Sequence, residues 1–128
     1  MKKGMVTDMD ECKKRMLKLS NDFKSCRKAF IALGDETRQS IIIALLESDC
    51  NGIRVGEITK KTHLSRPAVS HHLRILKDCG IINMRREGTM NYYYVNSSET
   101  QWRQLTELMN YIYGIVQSIP CNNEIKEI

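Results

Sequence analysis

The fold of this chain is decided by residues 60–86, KKTHLSRPAVSHHLRILKDCGIINMRR. This stretch holds seven of the 20 basic residues, all three histidines and one acid, and therefore carries a net charge of +6. The remaining 101 residues carry 13 basic and 14 acidic side chains, a net charge of −1. The positive charge of the protein is thus a local patch. Such a patch suits a polyanion, most often nucleic acid, although a solvated basic face would carry the same charge.

The order of residues inside this stretch predicts a helix-turn-helix over 54–79. A short helix opens at Val55 and reaches about Thr62. Ser65 is suited to cap a second helix, and Pro67 is tolerated in its first turn. Gly80 supplies the C-terminal stop. The buried stripe of the second helix, at spacings of four and three, consists of Val69, Leu73 and Leu76.

Two extended runs, within 81–95, follow this helix and predict a β-hairpin. Residues 81–86 and 91–95 are rich in Ile, Tyr and Val, and residues 87–90 join them with Gly88 in the turn. A hairpin directly after a helix-turn-helix is a wing. Neighbouring strand residues point to opposite faces, so at least one of Arg85 and Arg86 is expected to reach outward. The fold class is therefore mainly α with a small β-hairpin, a winged helix-turn-helix.

Four segments of the chain resemble the ArsR/SmtB family of winged-helix repressors. They are ALGDETR at 32–38, VGEI at 55–58, LSRPAVSHHL at 64–73, and Leu76 with CGII at 79–82. The resemblance covers about half of the chain, and several motifs occur in the same order and spacing. It implies a bacterial or archaeal homodimer that binds double-stranded operator DNA and is released by a signal.

Composition is consistent with one domain, 1–128, acting in the cytoplasm. The apolar content of 41% is ordinary, and the longest apolar run, 41–46, is far too short to span a membrane. The first residues are basic, but no apolar stretch follows them, so no signal peptide is expected. Five cysteines without a secretion signal indicate reduced thiols. Because no catalytic motif is present, an enzyme is not expected.

The two ends of the chain, 9–33 and 99–119, read as flanking dimerisation helices with seams at spacings of three and four. A second copy of the chain is the natural partner, because so short a chain has little core left for two seams. The alternative is that each seam packs on the central helix 35–47 of its own subunit. The residues expected in the dimer interface are Phe23, Phe30, Trp102, Leu105, Met109, Ile112 and Val116.

The second helix and the wing carry the residues expected to contact DNA. Arg66, Ala68 and His71 are expected to approach base edges, since they lie in the N-terminal half of the helix. The wing residues Arg85, Arg86 and Thr89 are expected to contact the flanking backbone or minor groove. The remaining DNA-binding residues, mainly phosphate contacts, are Ser65, Pro67, Ser70, Arg74 and Lys77.

The chain lacks the common metal-ligand motifs of the family that it resembles. One metal site of that family uses Cys-x-Cys in the first helix of the helix-turn-helix, and the matching segment 53–58 has no cysteine. The other uses histidine and aspartate on the last helix, and 99–118 contains neither. We therefore expect no metal site and no cofactor. One alternative is a thiol-based metalloid or redox sensor using Cys12, Cys50 or Cys121. Another is a winged helix that contacts only proteins.

Overall fold

The computed structural model describes the backbone of residues 2–95 and 100–118, and the side chains of 10–95 and 101–118. The chain divides into two compact units, one formed by Arg27–Arg103 and the other by Met1–Cys26 with Gln104–Ile128. The described elements, in chain order, are α1 (Lys2–Ser25), α2 (Arg27–Leu33), α3 (Glu36–Leu46), α4 (Val55–Thr62), α5 (Arg66–Asp78), β1 (Ile82–Glu87), β2 (Met90–Val95) and α6 (Thr100–Gln117). The mainly helical winged-helix architecture predicted from sequence is confirmed.

The unit Arg27–Arg103, which we call the reading unit, is built around α3. Asp35 caps this helix by accepting the backbone N–H of Arg38 at 3.0 Å. That hydrogen bond holds the pKa of the Asp35 carboxyl below its usual range. α3 packs against α4, α5 and β2. The fully buried apolar side chains at the centre of the unit include Ile41, Ile58, Val69, Leu73, Leu76 and Ile81.

The wing is a two-stranded antiparallel sheet in which Ile82 pairs with Val95 and Glu87 pairs with Met90. Its turn therefore consists of Gly88 and Thr89 alone, two residues shorter than the four-residue connection predicted from sequence. Gly88 has φ +65°, a left-handed conformation that a two-residue hairpin turn requires and glycine adopts without strain. β1 begins and ends one residue later than the sequence alone indicates, and β2 begins one residue earlier.

A third extended segment joins the wing. Ile53 and Tyr93 exchange both backbone hydrogen bonds, at 2.9 and 2.8 Å, in an isolated antiparallel bridge. Ile53 is 3% exposed. Immediately before it, Gly52 has φ +106°, and a Cβ there would lie 3.0 Å from the Tyr93 carbonyl oxygen. The loop that precedes α4 is therefore fixed against β2, which ties the wing to the helix-turn-helix.

The second unit, which we call the terminal unit, contains α1 and most of α6. The Tyr111 hydroxyl donates to the Arg15 carbonyl oxygen at 3.2 Å, and the Lys18 ammonium lies 5.0 Å from the centre of the Tyr111 ring. Lys18 also pairs with Asp22 at 2.8 Å on the helix surface. The buried apolar side chains of the described part of this unit are Cys26, Leu105, Leu108 and Ile115.

The stretch 9–33 is two helices rather than the one that sequence predicted. The Cys26 N–H is shared between the carbonyl oxygens of Asp22 and Phe23, at 3.2 and 3.1 Å, and the Ser25 hydroxyl donates to the Asp22 carbonyl at 2.8 Å. Such shared bonds and side-chain bonds to the backbone are typical of a helix end. The break lies at the boundary between the two units.

No helix in the described ranges is long and apolar enough to cross a membrane.

Candidate nucleic-acid interface

Helix α5 is positioned by its first turn and by one buried face. The Ser65 hydroxyl oxygen accepts the Ala68 N–H at 3.2 Å, and Pro67 occupies the first turn, both as predicted. Val69, Leu73 and Leu76 are at most 1% exposed. At the other end, Gly80 has φ +81°, and the N–H of Ile81 bonds back to the Leu76 carbonyl at 3.0 Å. The helix is therefore fixed at both ends and along its inner side.

The opposite face of α5 is polar, basic and open to solvent. Ala68 is half-buried, so it offers less surface than its exposed neighbours. The Ser65 hydroxyl oxygen accepts the hydrogen bond that caps the helix. Its hydroxyl proton is therefore available for donation to a phosphate. The side chains of the predicted DNA-binding set that are exposed on and before this helix are Ser65, Arg66, Pro67, Ser70, His71, Arg74 and Lys77. This is the arrangement expected of a helix that enters the major groove.

The turn between α4 and α5 is tight because His63 adopts a left-handed conformation. Its φ is +61°, and its N–H bonds to the Thr59 carbonyl at 2.8 Å, which closes α4. This conformation is uncommon for a residue other than glycine, although histidine is among the residue types that adopt it more often. His63 therefore has a structural place in the turn, a role that the sequence analysis did not assign.

An arginine outside the basic patch orients α5. The Arg38 guanidinium donates to the Ala32 carbonyl at 2.9 Å through Nε, and its Nη1 lies 3.2 Å from Nδ1 of His72. The second contact joins α3 to α5 directly. His72 is half-buried, and the centre of its ring lies 5.2 Å from that of the exposed His71. Arg38 is thus a positioning residue that sequence reasoning missed, although it lies within the motif ALGDETR.

The Arg38–His72 contact requires a neutral imidazole. Burial lowers the pKa of His72, and the positive charges of Arg38 and His71 act in the same direction, while Asp35 opposes them. Because arginine only donates hydrogen bonds, Nδ1 is the acceptor and the ring proton resides on Nε2. His72 is therefore neutral at neutral pH and is part of the packing rather than of the charged outer face.

The two wing arginines are not equivalent. Arg85 is held within the protein. Its Nε pairs with Glu87 at 2.8 Å, its Nη1 bonds to the Asn51 carbonyl, and its guanidinium lies 4.8 Å from the centre of the Tyr92 ring. The bond to Glu87 raises the pKa of Arg85. These three contacts anchor the wing to the loop before α4, and the DNA contact expected of Arg85 stays a prediction.

Arg86 and Thr89 lie on the outer side of the wing. Both side chains are exposed, and Nε of Arg86 donates to the Gly88 carbonyl at 3.1 Å, which aligns the arginine along the turn. Tyr92, Tyr93 and Tyr94 are all half-buried. Of the wing residues predicted from sequence, the structure brings Arg86 and Thr89 to the tip.

The residues predicted for a dimer interface fall into three groups. Leu105 is 7% exposed and packs inside its own subunit. Phe30, Trp102 and Ile112 are half-buried, and the Trp102 indole N–H donates to the Ile81 carbonyl at 2.9 Å. Phe23, Met109 and Val116 are exposed. The exposed apolar side chains of the terminal unit also include Met16, which lies on the seam predicted for the N-terminal end, and Leu17 and Tyr113, which lie on neither predicted seam.

The cysteines are distributed over both units. Cys12 and Cys50 are exposed, while Cys26 is buried as a small apolar side chain. Burial raises the pKa of the half-buried Cys79 thiol. Cys121 lies outside the described residues. Within 10–95 and 101–118, no group of three or more His, Cys, Asp or Glu side chains is arranged to hold a metal ion.

Comparisons with known proteins agree on one family. The family model described as "Bacterial regulatory protein, arsR family" matches residues 35–84. A helix-turn-helix transcriptional regulator of Methanocaldococcus jannaschii is 38% identical over 73 residues, which cover 57% of this chain and 80% of the relative. The transcriptional repressor SdpR of Bacillus subtilis is 34% identical over 83 residues, covering 65% of this chain and 88% of that protein.

A solved structure supports the same fold. The ArsR-like transcriptional regulator from Rhodococcus sp. RHA1 superposes with a TM-score of 0.67 at 21% identity, covering 84% of this chain and 95% of that one. At this identity the likeness concerns the fold. The segment matched by the family model contains α3, α4, α5 and the start of the wing, the elements that carry the basic outer face.

Proposed function

Because this chain belongs to the arsR family of bacterial regulatory proteins and is a DNA-binding transcriptional regulator, we propose that it is a homodimeric repressor. In this proposal each subunit inserts α5 into one major groove of a two-fold operator. The wings then contact the flanking DNA. Bound in a promoter, such a dimer excludes the transcription machinery. A matched relative is itself a repressor, which favours this direction of control.

The observation that carries the proposal is the division of α5 into two faces. Its inner side chains are almost fully buried, whereas Arg74 and Lys77 are exposed beside Ser70 and His71. A winged helix that contacted only proteins would have no need for cations at these positions. Cations on a helix with fixed ends are suited to phosphates that flank a major groove.

Two observations support the proposed dimer: operators consist of two half-sites, and the terminal unit has exposed apolar side chains. Regulators of this kind read two half-sites about one helical turn, roughly 34–36 Å, apart, and the symmetry of the operator mirrors that of the protein. The exposed apolar side chains of the terminal unit, Met109 and Leu17 among them, supply a surface that a second subunit can cover. We further propose that the protein acts in the cytoplasm and has no catalytic activity.

The test is direct binding to the DNA upstream of the protein's own gene. Nuclease footprinting should reveal two protected half-sites about 10 base pairs apart, centre to centre, with protection extending to the flanks. Sedimentation should give a dimer at the concentrations at which the footprint forms. A reporter driven by this DNA should lose activity when the protein is present.

The opposite results separate the alternatives. A rise in reporter activity would make the protein an activator that binds the same operator. Absence of specific DNA binding, with a stable dimer in solution, would favour the winged helix that contacts only proteins.

A further inference from the structure

A groove in the reading unit lies between the start of α4, the start of α5 and the tip of the wing. Its volume is about 510 Å³. It lies beside the two elements that face DNA in the proposed function, and it was not among the sites expected from sequence. Its polar and small lining residues include Arg54, Gly56, Glu57, Lys60, Arg66 and Thr89.

The charge of this groove is positive. Arg54, Lys60 and Arg66 are exposed cations, and Glu57 is the acid among the lining residues. In the described part of the chain, none of the three cations forms an ion pair with a carboxylate. By contrast, Arg85 on β1 is already paired with Glu87. The groove therefore presents at least three donors whose charge is not neutralised by a salt bridge.

The position of the Arg66 guanidinium shows which part of the surface its charge lies beside. A Cβ built on Gly56 would lie 3.5 Å from Nη2 of Arg66. The guanidinium therefore lies back over the first turn of α4 instead of extending from the tip of α5. In this position it lines the groove together with Lys60.

We propose that this groove binds a phosphate of the DNA backbone, with Arg54, Lys60 and Arg66 as its donors. The proposal rests on the proposed function and names a backbone phosphate as the partner of these three cations. Guanidinium groups form paired, charge-assisted hydrogen bonds with phosphate, and the Thr89 hydroxyl is available at the wing tip. A strand contacted by both α5 and the wing passes between them, where the groove lies. Arg66 then holds the DNA in register without reading its sequence.

The first test changes the floor of the groove. Gly56 is outside the left-handed region, and its added Cβ would make ordinary contacts, so Gly56→Ala should retain the fold and serves as the matched control for an added side chain. Gly56→Asp adds a carboxylate beside the Arg66 guanidinium in the first turn of α4, where an acid is compatible with the helix. We expect Gly56→Asp to weaken binding to operator and unrelated DNA by a similar factor.

The second test compares two adjacent lysines of α4. Lys60 lines the groove and Lys61 does not, although both are exposed. For each phosphate that the protein no longer neutralises, the slope of log affinity against log salt should become shallower by about 0.9. We therefore expect this change in Lys60→Ala and a wild-type slope in Lys61→Ala. Thermal denaturation of both variants checks that the fold is retained.

Three outcomes overturn parts of the inference. Equal slopes for the two lysine variants, together with equal binding by Gly56→Asp and Gly56→Ala, would refute the groove as a phosphate site. Relaxed preference at one base pair in Arg66→Ala would return Arg66 to base reading. If the wild-type protein bound no DNA, the proposed function itself would fail, whereas normal wild-type binding with unaffected groove variants would remove this inference alone.

Discussion

The reading unit and the terminal unit differ in the share of their apolar side chains that is buried. In the reading unit, buried apolar side chains outnumber the large exposed ones, and Ile41, Ile58 and Leu76 are completely inaccessible. In the described part of the terminal unit the balance reverses. Leu17 is 62% exposed and Tyr113 is 64% exposed, while few apolar side chains are buried. One unit completes its core with its own residues, and the described part of the other leaves most of its large apolar side chains exposed.

This difference separates two physical tasks. A helix that reads DNA has to be fixed within its subunit, because an error of a few ångströms misplaces every donor on its outer face. A dimer helix can leave its final packing to association, since burial between subunits stabilises the folded state by mass action. We therefore expect substitutions in the two units to affect different measurements.

We expect the largest effect, a loss of operator affinity, when a charged residue is introduced into the terminal unit. Met109 is 48% exposed, so Met109→Glu should leave the subunit folded but should disfavour a dimer that buries this position. Loss of the second half-site should reduce operator affinity by on the order of 10²-fold or more. Sedimentation and DNA titration would measure both effects, with the exposed Asn110→Glu as control. A dimer that survives Met109→Glu would remove this face from the interface.

The next effect concerns the core of the reading unit. Leu73→Ala should lower the free energy of unfolding by about 2–5 kcal/mol, because Leu73 is 1% exposed and the cavity left behind is enclosed. Leu17→Ala in the terminal unit should change it by less than about 0.5 kcal/mol in the monomer. Urea denaturation at low protein concentration provides the comparison. Equal costs for the two substitutions would contradict the contrast between the units.

A smaller effect distinguishes the cations of the two units. Arg74→Ala should weaken binding to all sequences alike and make the salt slope shallower by about 0.9, since it removes one phosphate contact. Lys24→Ala, an exposed cation at the end of α1, should leave the slope unchanged. Fluorescence anisotropy at several salt concentrations measures both. An unchanged slope for Arg74→Ala would exclude that residue from the phosphate contacts.

The wing arginines provide a finer comparison within the reading unit. Arg86→Ala should narrow the footprint at the flanks, because this exposed residue lies at the wing tip. Arg85→Ala should instead lower the thermal stability of the wing, because it removes the bonds to Glu87 and Asn51. Footprinting and hydrogen exchange of the wing amides measure the two results. Protection of the same flanks with the same affinity by Arg86→Ala would make its assignment wrong.

The smallest expected effect is that of metal ions. The two segments that match the family's metal sites lack the cysteine and histidine ligands, so micromolar zinc or nickel should not release the operator. If arsenite or an oxidant releases it, a variant with Cys12, Cys50 and Cys121 replaced by serine should no longer respond. Release by zinc from that triple variant would point instead to a site built from histidines or carboxylates.

The winged helix-turn-helix was predictable from sequence because its signals are local. Ser65, Pro67 and Gly80 define the ends of α5 through their own backbone preferences, and one apolar stripe defines its buried side. The roles of Arg38 and Arg85 were not predictable, because they depend on contacts with His72 and Asn51, each 34 positions away along the chain.

The apolar pattern of α6 shows a second limit of sequence reasoning. The seam predicted for the dimer runs through Met109 and Val116, which are exposed in the single subunit, while Leu108 and Ile115, one position earlier in each case, are buried within it. Apolar residues occur on more than one face of this helix, so periodicity alone cannot tell which face packs inside the subunit. Only the three-dimensional structure separates the inner stripe from the exposed one.

The bridge between Ile53 and Tyr93 has a consequence for the order of folding. The helix-turn-helix and the hairpin consist of contacts between residues close in sequence, which form fast because little chain entropy is lost in closing short loops. The bridge closes a loop of about forty residues. We therefore expect α4, α5 and the hairpin to form first, and the long-range contacts of β2 with Ile53 and with α3 to form later. The connection between the wing and the helix-turn-helix then forms only after each of these two parts has its own local structure.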